Sequence, residues 1–273
     1  EKIKDFMFSR RTDWPTEKNP LMSLLEDLKE KKVKIFDLTE SNPTRAGFRY
    51  PKRQILKPLA RPQNLLYHPD PFGDRKAREA VSRMYERQGI HVDPAQVILT
   101  ASSSEAYSFL FRLLLNPDDA VLFPCPSYPL FDFLAQLNDA RMDFYPLAYD
   151  GRWKIDKEAF QKAITSKTKA VTLVSPNNPT GCFVKSEELE FVNEACRKND
   201  MVLICDEVFF DYVSPEQKGK AKSLAANNHV LTFVLGGLSK SLGLPQMKLS
   251  WILVNGPAEQ VQEALKRLEI IAD

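Results

Sequence analysis

Five loops of this 273-residue chain hold side chains whose types and spacing could do chemistry. Ala101-Ser-Ser-Ser-Glu105 opens a helical stretch, so Ser102, Ser103 and Ser104 set three hydroxyls beside free backbone N–H groups at the positive end of a helix dipole. Such a start can bind a phosphate, or one serine can simply cap the helix. Pro124-Cys-Pro-Ser-Tyr-Pro129 holds Tyr128 between prolines, where a rigid ring can stack on a flat ligand or pack under its own loop. Ser175-Pro-Asn-Asn-Pro-Thr-Gly181 either aims amide side chains at fixed points or is an ordinary Asn-Pro turn. Asp206 opens Asp206-Glu-Val-Phe-Phe-Asp-Tyr212 directly after an apolar run. A carboxylate there is poorly hydrated unless a cation, an ion-pair partner or a helix end meets it. Lys240, in Gly236-Gly-Leu-Ser-Lys-Ser-Leu-Gly243, offers an amine that can hold a phosphate, form a Schiff base or lie on the surface. It is not a P-loop lysine, because Ser239 rather than glycine precedes it.

Each of these loops follows an expected strand. The apolar runs Val33–Leu38, Val97–Thr100, Ala120–Phe123, Arg141–Pro146, Ala170–Val174, Met201–Cys205, Val230–Leu235 and Ser250–Val254 read as strands, several too uniformly apolar for a half-exposed sheet. Helices lie between them. Ala77, Ala80, Val81, Met84 and Tyr85 form one apolar stripe, as do Leu189, Val192 and Cys196 after a cap at Ser186, and Val261, Leu265 and Leu268 in a last helix. Lys18–Lys34 also reads as helical. Strand-helix alternation over most of the chain predicts a doubly wound α/β domain with a mainly parallel sheet. Ligands of such sheets sit beyond the carboxyl ends of the strands, where the five loops lie. Together the loops supply anion donors, a stacking ring, an amide, a buried carboxylate and an amine. That set matches the phosphate, flat pyridine, phenolic oxygen, ring nitrogen and aldehyde of pyridoxal 5'-phosphate.

Composition narrows the field. With 38 basic and 36 acidic residues the net charge is +2, which gives no reason to expect nucleic acid or an anionic membrane as partner. No apolar run approaches the ~20 residues of a spanning helix. No charged-then-apolar leader opens the sequence, and Glu1 in place of Met leads us to expect a trimmed start. Four cysteines without a Cys-x-x-Cys pair read as free thiols of a reduced, cytoplasmic protein. Three histidines without metal-ligand spacing point to no metal site.

Ser-Pro-Asn-Asn-Pro-Thr-Gly, Asp-Glu-Val-Phe-Phe-Asp-Tyr and Leu-Ser-Lys-Ser-Leu-Gly-Leu, in this order, resemble the class I/II aminotransferases of the fold-type I pyridoxal-phosphate enzymes, over about residues 42–254. The resemblance implies a Schiff base at Lys240, which would also carry the substrate proton, and a carboxylate partner for the pyridine nitrogen at Asp206. It implies an amide at Asn178 for the phenolic oxygen and a stacking ring at Tyr128. Ser102, Ser103 and Ser104 fall on the phosphate cup, with Ser103 and Ser104 the direct ligands. Lys248 falls on a phosphate-binding position, and Asn42 on the substrate loop. Tyr67, in Tyr-His-Pro-Asp-Pro-Phe-Gly73, matches the tyrosine that reaches the phosphate of a neighbouring subunit, so a homodimer is implied. Residues 1–49 would be an arm or part of a small domain, and 50–273 the large cofactor-binding domain. The C-terminal small domain, with the arginine for the substrate carboxylate, is expected to be missing from these residues.

Three positions depart from the family pattern. Phe209 replaces a tyrosine that donates to the phenolic oxygen, which should raise the pKa of the Schiff base. Lys248 replaces an arginine, keeping charge and losing the bidentate fork. Gly237 stands where many members have a serine or threonine. The expected activity is amino transfer from an amino acid to a 2-oxo acid. A β-lyase or cyclopropane-forming synthase of the same fold, or a non-catalytic cofactor-binding regulatory module, are the alternatives.

Overall fold

The computed structural model of the chain describes residues 7–36, 38–213 and 222–273. It forms two compact units, Glu1–Tyr67 and His68–Asp273.

The first unit holds two helices, α1 (Pro20–Glu30) and α2 (Lys52–Leu59). Asn19 sets the start of α1, its Oδ1 accepting from Leu21 N at 2.9 Å, with Pro20 at the first helical position. Lys32, at φ 54°, lies in the left-handed region just beyond the end, so the helix is shorter than the Lys18–Lys34 read from sequence. The run Val33–Leu38 forms no strand at 33–36 or 38, and Asp37 lies outside the described residues. An extended run becomes a strand only where another edge takes up its N–H and C=O groups. Among the described residues no strand pairs with it.

The second unit carries α3 (Arg75–Glu86), β1 (Val97–Thr100), α4 (Ser103–Leu114), β2 (Ala120–Cys125), α5 (Leu130–Leu137), β3 (Arg141–Tyr149) and β4 (Trp153–Ile155). There follow α6 (Lys157–Ala163), β5 (Thr168–Val174), α7 (Ser186–Lys198), β6 (Val202–Asp206), β7 (Thr232–Gly237), α8 (Leu238–Ser241), β8 (Ser250–Asn255) and α9 (Ala258–Ala272). The strands form one sheet in the order β1-β8-β7-β6-β5-β2-β3-β4. β7, β6, β5, β2 and β3 run parallel, while β8 is antiparallel to both β7 and β1. Two reversals restore the direction, so β1 points the same way as β7. The carboxyl ends of β1, β2, β5, β6 and β7 therefore share one edge. The chain order reverses between β5 and β2, which opens a crevice at that edge.

Period-two alternation splits the core between the two faces. Leu203 and Cys205 of β6 face a layer containing Val81 and Tyr85 of α3, Phe160 of α6 and Val192 of α7. Ile204 faces the layer built from α4, α5 and α9, with Tyr107, Leu110, Phe111, Phe131 and Leu268. Each of these fully buried apolar side chains contributes about 1.5–3 kcal/mol. Gly236 lets Trp251 cross β7: a Cβ there would lie 2.6 Å from the indole ring. The cap of helix α7 lies one residue earlier than the Ser186 expected from sequence, which becomes the first helical residue. That cap is Lys185, whose N–H donates to Glu188 Oε2 at 2.9 Å, because that buried glutamate reaches back over the first turn while its other oxygen takes Ile155 N.

Candidate active site

The loops that leave the shared edge converge on one cavity of about 310 Å3, lined by Ser103, Ser104, Tyr128, Asn178, Asp206, Phe209, Lys240 and Lys248 among others. Larger clefts lie near His229 at the other end of the strands and beside the β3–β4 turn, but neither sets a lysine against a buried carboxylate.

Each lining group is placed by its element. Ser102 Oγ caps α4, accepting from Glu105 N at 3.1 Å, and Glu105 Oε2 accepts from Ala101 N at 2.6 Å. With that capping done by Ser102, the hydroxyls of Ser103 and Ser104 and the helix dipole are left to the cavity. Tyr128 is 45 % exposed, its ring edge-on to Phe131 at 5.9 Å. Asn178 is half-buried in a loop whose shape its neighbour fixes: Asn177 Nδ2 donates to Pro126 O at 3.2 Å and Thr180 Oγ1 at 2.9 Å. Lys248 is exposed and left-handed (φ 49°), following a 3-10 turn at Pro245–Met247.

Asp206 is the last residue of β6 and shares the sheet face of Ile204. It is 5 % exposed. Burial pushes its carboxyl up to about 6, against the pull of two donors: Val208 N to Oδ1 and the Tyr107 hydroxyl to Oδ2, each at 3.1 Å. Lys240 follows β7 in the short helix α8. Its Nζ lies 5.3 Å from the centre of the Phe209 ring, and its main-chain carbonyl accepts from the Tyr212 hydroxyl at 3.1 Å. Tyr212 is thus bonded to the lysine's own backbone. Gly237 has a local reason to lack a side chain: a Cβ would press on the Ser250 hydroxyl and sit 3.2 Å from Leu249 O.

Asn42 and Tyr67 belong to the first unit. Asn42 Oδ1 accepts from Thr44 N at 3.0 Å and Thr44 Oγ1 at 2.6 Å, closing its own turn. Tyr67 is 91 % exposed. Tyr107 was not foreseen. The only trace in the sequence is its spacing of four from Ser103, which puts both on one side of α4.

The donor set fits pyridoxal 5'-phosphate. A carboxylate so buried is stabilised in its charged form by a cation such as a protonated ring nitrogen. The start of α4 suits a phosphate, and the Lys240 amine belongs to the same cavity. Among the described residues no cluster of His, Cys, Asp and Glu could hold a metal, and no helix is long and apolar enough to cross a membrane.

Residues 33–271 match the family described as aminotransferase class I and II. The chain belongs to that family. Class I and II aminotransferases use pyridoxal 5'-phosphate, and the sheet seen here is their fold-type I arrangement. The chain is 28 % identical over 246 residues to the glutamate-pyruvate aminotransferase AlaA of Haemophilus influenzae, covering 90 % of this chain and 61 % of that one. It is 31 % identical over 200 residues to an S-alkyl-thiohydroximate lyase of Arabidopsis thaliana, covering 71 % of this chain and 42 % of the lyase. The alanine aminotransferase of Pyrococcus furiosus superposes with a TM-score of 0.81 at 26 % identity, over 92 % of this chain and 64 % of that structure. The chain therefore spans less than two thirds of these aminotransferases.

Proposed function

We propose that this chain is the cofactor-binding part of an aminotransferase that moves an amino group from an amino acid to a 2-oxo acid. The observation that carries the reading is the single cavity holding both Lys240 and the buried Asp206, with the start of α4 on its wall. Bound there, pyridoxal 5'-phosphate would supply the electron sink for carbanion chemistry. Lys240 Nζ would hold the cofactor through its aldehyde and would be the amine placed to move the proton at the substrate's α-carbon. Asp206 would keep a proton on the ring nitrogen. Ser103, Ser104 and the first amides of α4 would hold the phosphate, with Lys248 adding a point charge. Asn178 would donate to the phenolic oxygen, and Tyr128 would stack on the ring. By family position, Asn42 serves the substrate, and Tyr67 serves the phosphate of a second subunit in a homodimer. The names of the relatives make glutamate, alanine and their 2-oxo acids the first substrates to try.

The test is covalent capture. After borohydride, wild-type protein should carry the mass of the reduced cofactor on Lys240, and Lys240→Ala should carry none. A protein that takes up no pyridoxal phosphate overturns the reading. Elimination is a second reading, favoured by the lyase relative. Ammonia release from a β-substituted amino acid without any 2-oxo acid acceptor would select it.

A further inference from the structure

Tyr107 lies within the α4 face of the core, 1 % exposed, its ring 5.0 Å from Phe131, 5.8 Å from Phe111 and 6.2 Å from Phe123. Its hydroxyl crosses to β6 and donates to Asp206 Oδ2 at 3.1 Å. A phenylalanine would serve the packing equally well, so the hydroxyl calls for its own explanation. Val208 N takes the other carboxylate oxygen. Two donors on two oxygens fix the plane of the carboxylate, and a carboxylate accepts about four bonds, so capacity is left for the cavity side. Ser103 and Ser104, one turn earlier on α4, line the cavity that Asp206 also lines. One rigid helix thus touches both ends of the space.

Resting on the reading above, we infer that Tyr107 is a positioning residue: its hydroxyl orients Asp206 and favours the ionised carboxylate that meets the ring nitrogen, and α4 ties that orientation to the phosphate end. The groups around Asp206 are Tyr107 from α4, Lys240 from α8, Lys248 from the turn before β8, and Cys205 and Glu207 on either side along the chain. Burial, and next the charge of Asp206, hold the Tyr107 phenol well above its ordinary value, so it stays a donor throughout the working range.

The experiment compares wild type with Tyr107→Phe, each alone and combined with Asp206→Asn. The Asp206 carboxyl is followed by carbon-13 NMR against pH in cofactor-free protein, and pyridoxal phosphate affinity is measured near pH 5.5, below the wild-type midpoint. Tyr107→Phe should raise the Asp206 midpoint by about one pH unit and weaken cofactor binding about tenfold. With Asn at 206 the same change should leave affinity unaltered. Packing alone would move neither the midpoint nor the coupling. If Tyr107→Phe does not fold, the wild-type Tyr107 ring resonances must still titrate at the Asp206 midpoint, and their failure to do so overturns the inference. A wild type that binds no cofactor overturns both this inference and the functional reading. A wild type that binds it, beside an unmoved Asp206 midpoint in the variant, overturns the inference alone.

Discussion

Asp206 and Glu207 are neighbours in sequence and nearly identical in burial, at 5 % and 6 % exposed. Burial raises both, one to about 6 and the other to about 7. Yet they look in opposite directions. Glu207 turns away from α4, and both of its oxygens are taken by one later segment: Ser223 Oγ at 2.6 Å and Leu224 N at 2.6 Å. Asp206 keeps acceptor capacity toward the Lys240 cavity. A raised carboxyl pKa therefore marks burial at both positions, and only Asp206 opens onto the cavity that Lys240 lines. The surroundings separate the two: the Ser223 hydroxyl and the Leu224 N–H clamp Glu207, whereas Asp206 shares its cavity with Lys240 and the start of α4.

The largest expected effect breaks the symmetry outright. Asp206→Asn should lower kcat about a hundred- to a thousandfold while the fold is kept, by the measure of removing one preorganised charged group. Steady-state kinetics with cofactor in excess would read it, and an equal loss in Glu207→Gln would destroy the distinction. Next, Glu207→Ala leaves Ser223 and Leu224 without their acceptor. It should reduce the unfolding free energy by about 2–4 kcal/mol in urea titrations while leaving covalent cofactor capture intact.

The smallest effect sharpens the comparison through pH. Both folded carboxyls sit above their unfolded values of 3.8 and 4.5. The folded state therefore binds protons more tightly, so their joint contribution is greatest below pH 4 and declines as pH rises toward 6 and 7. Each group accounts for at most about 3 kcal/mol. Thermal unfolding of cofactor-free protein should lose the part of the decline ending near pH 6 in Asp206→Asn, and the part ending near pH 7 in Glu207→Gln. Added cofactor should offset only the first.

Much of this could be read in advance where physics is local. The run Leu203–Cys205 and the run Phe233–Leu235 are apolar at consecutive positions because the sheet is covered on both faces, so they were legible as inner strands. Ser102–Ser104, Asp206 and Lys240 stood out because polar groups directly follow such runs. What escaped is set by partners far along the chain. The three-residue β4 exists because β3 offers it an edge, with Lys154 at its centre. Val33–Leu38 has the composition of a strand, and among the described residues no edge pairs with it. Tyr107 reads as one more apolar position of a helix stripe, and its role depends on a carboxylate 99 positions away. Glu207 follows Asp206 directly, and its role as a structural acceptor depends on partners at 223 and 224.

The way β8 is inserted has a consequence for how the protein is made. Among the described residues β1 joins the sheet through β8 alone, and β8 comes last of these eight strands along the chain. Of all the pairings in the sheet, this one closes the longest stretch of chain, and such distant contacts are the slow ones to form. A nascent polypeptide paused before Ser250 can already have β2, β3, β5, β6 and β7 side by side, while the seryl turn after β1 still has no strand to seat it. The serine turn at the start of α4 is translated early and gains its supporting strand late.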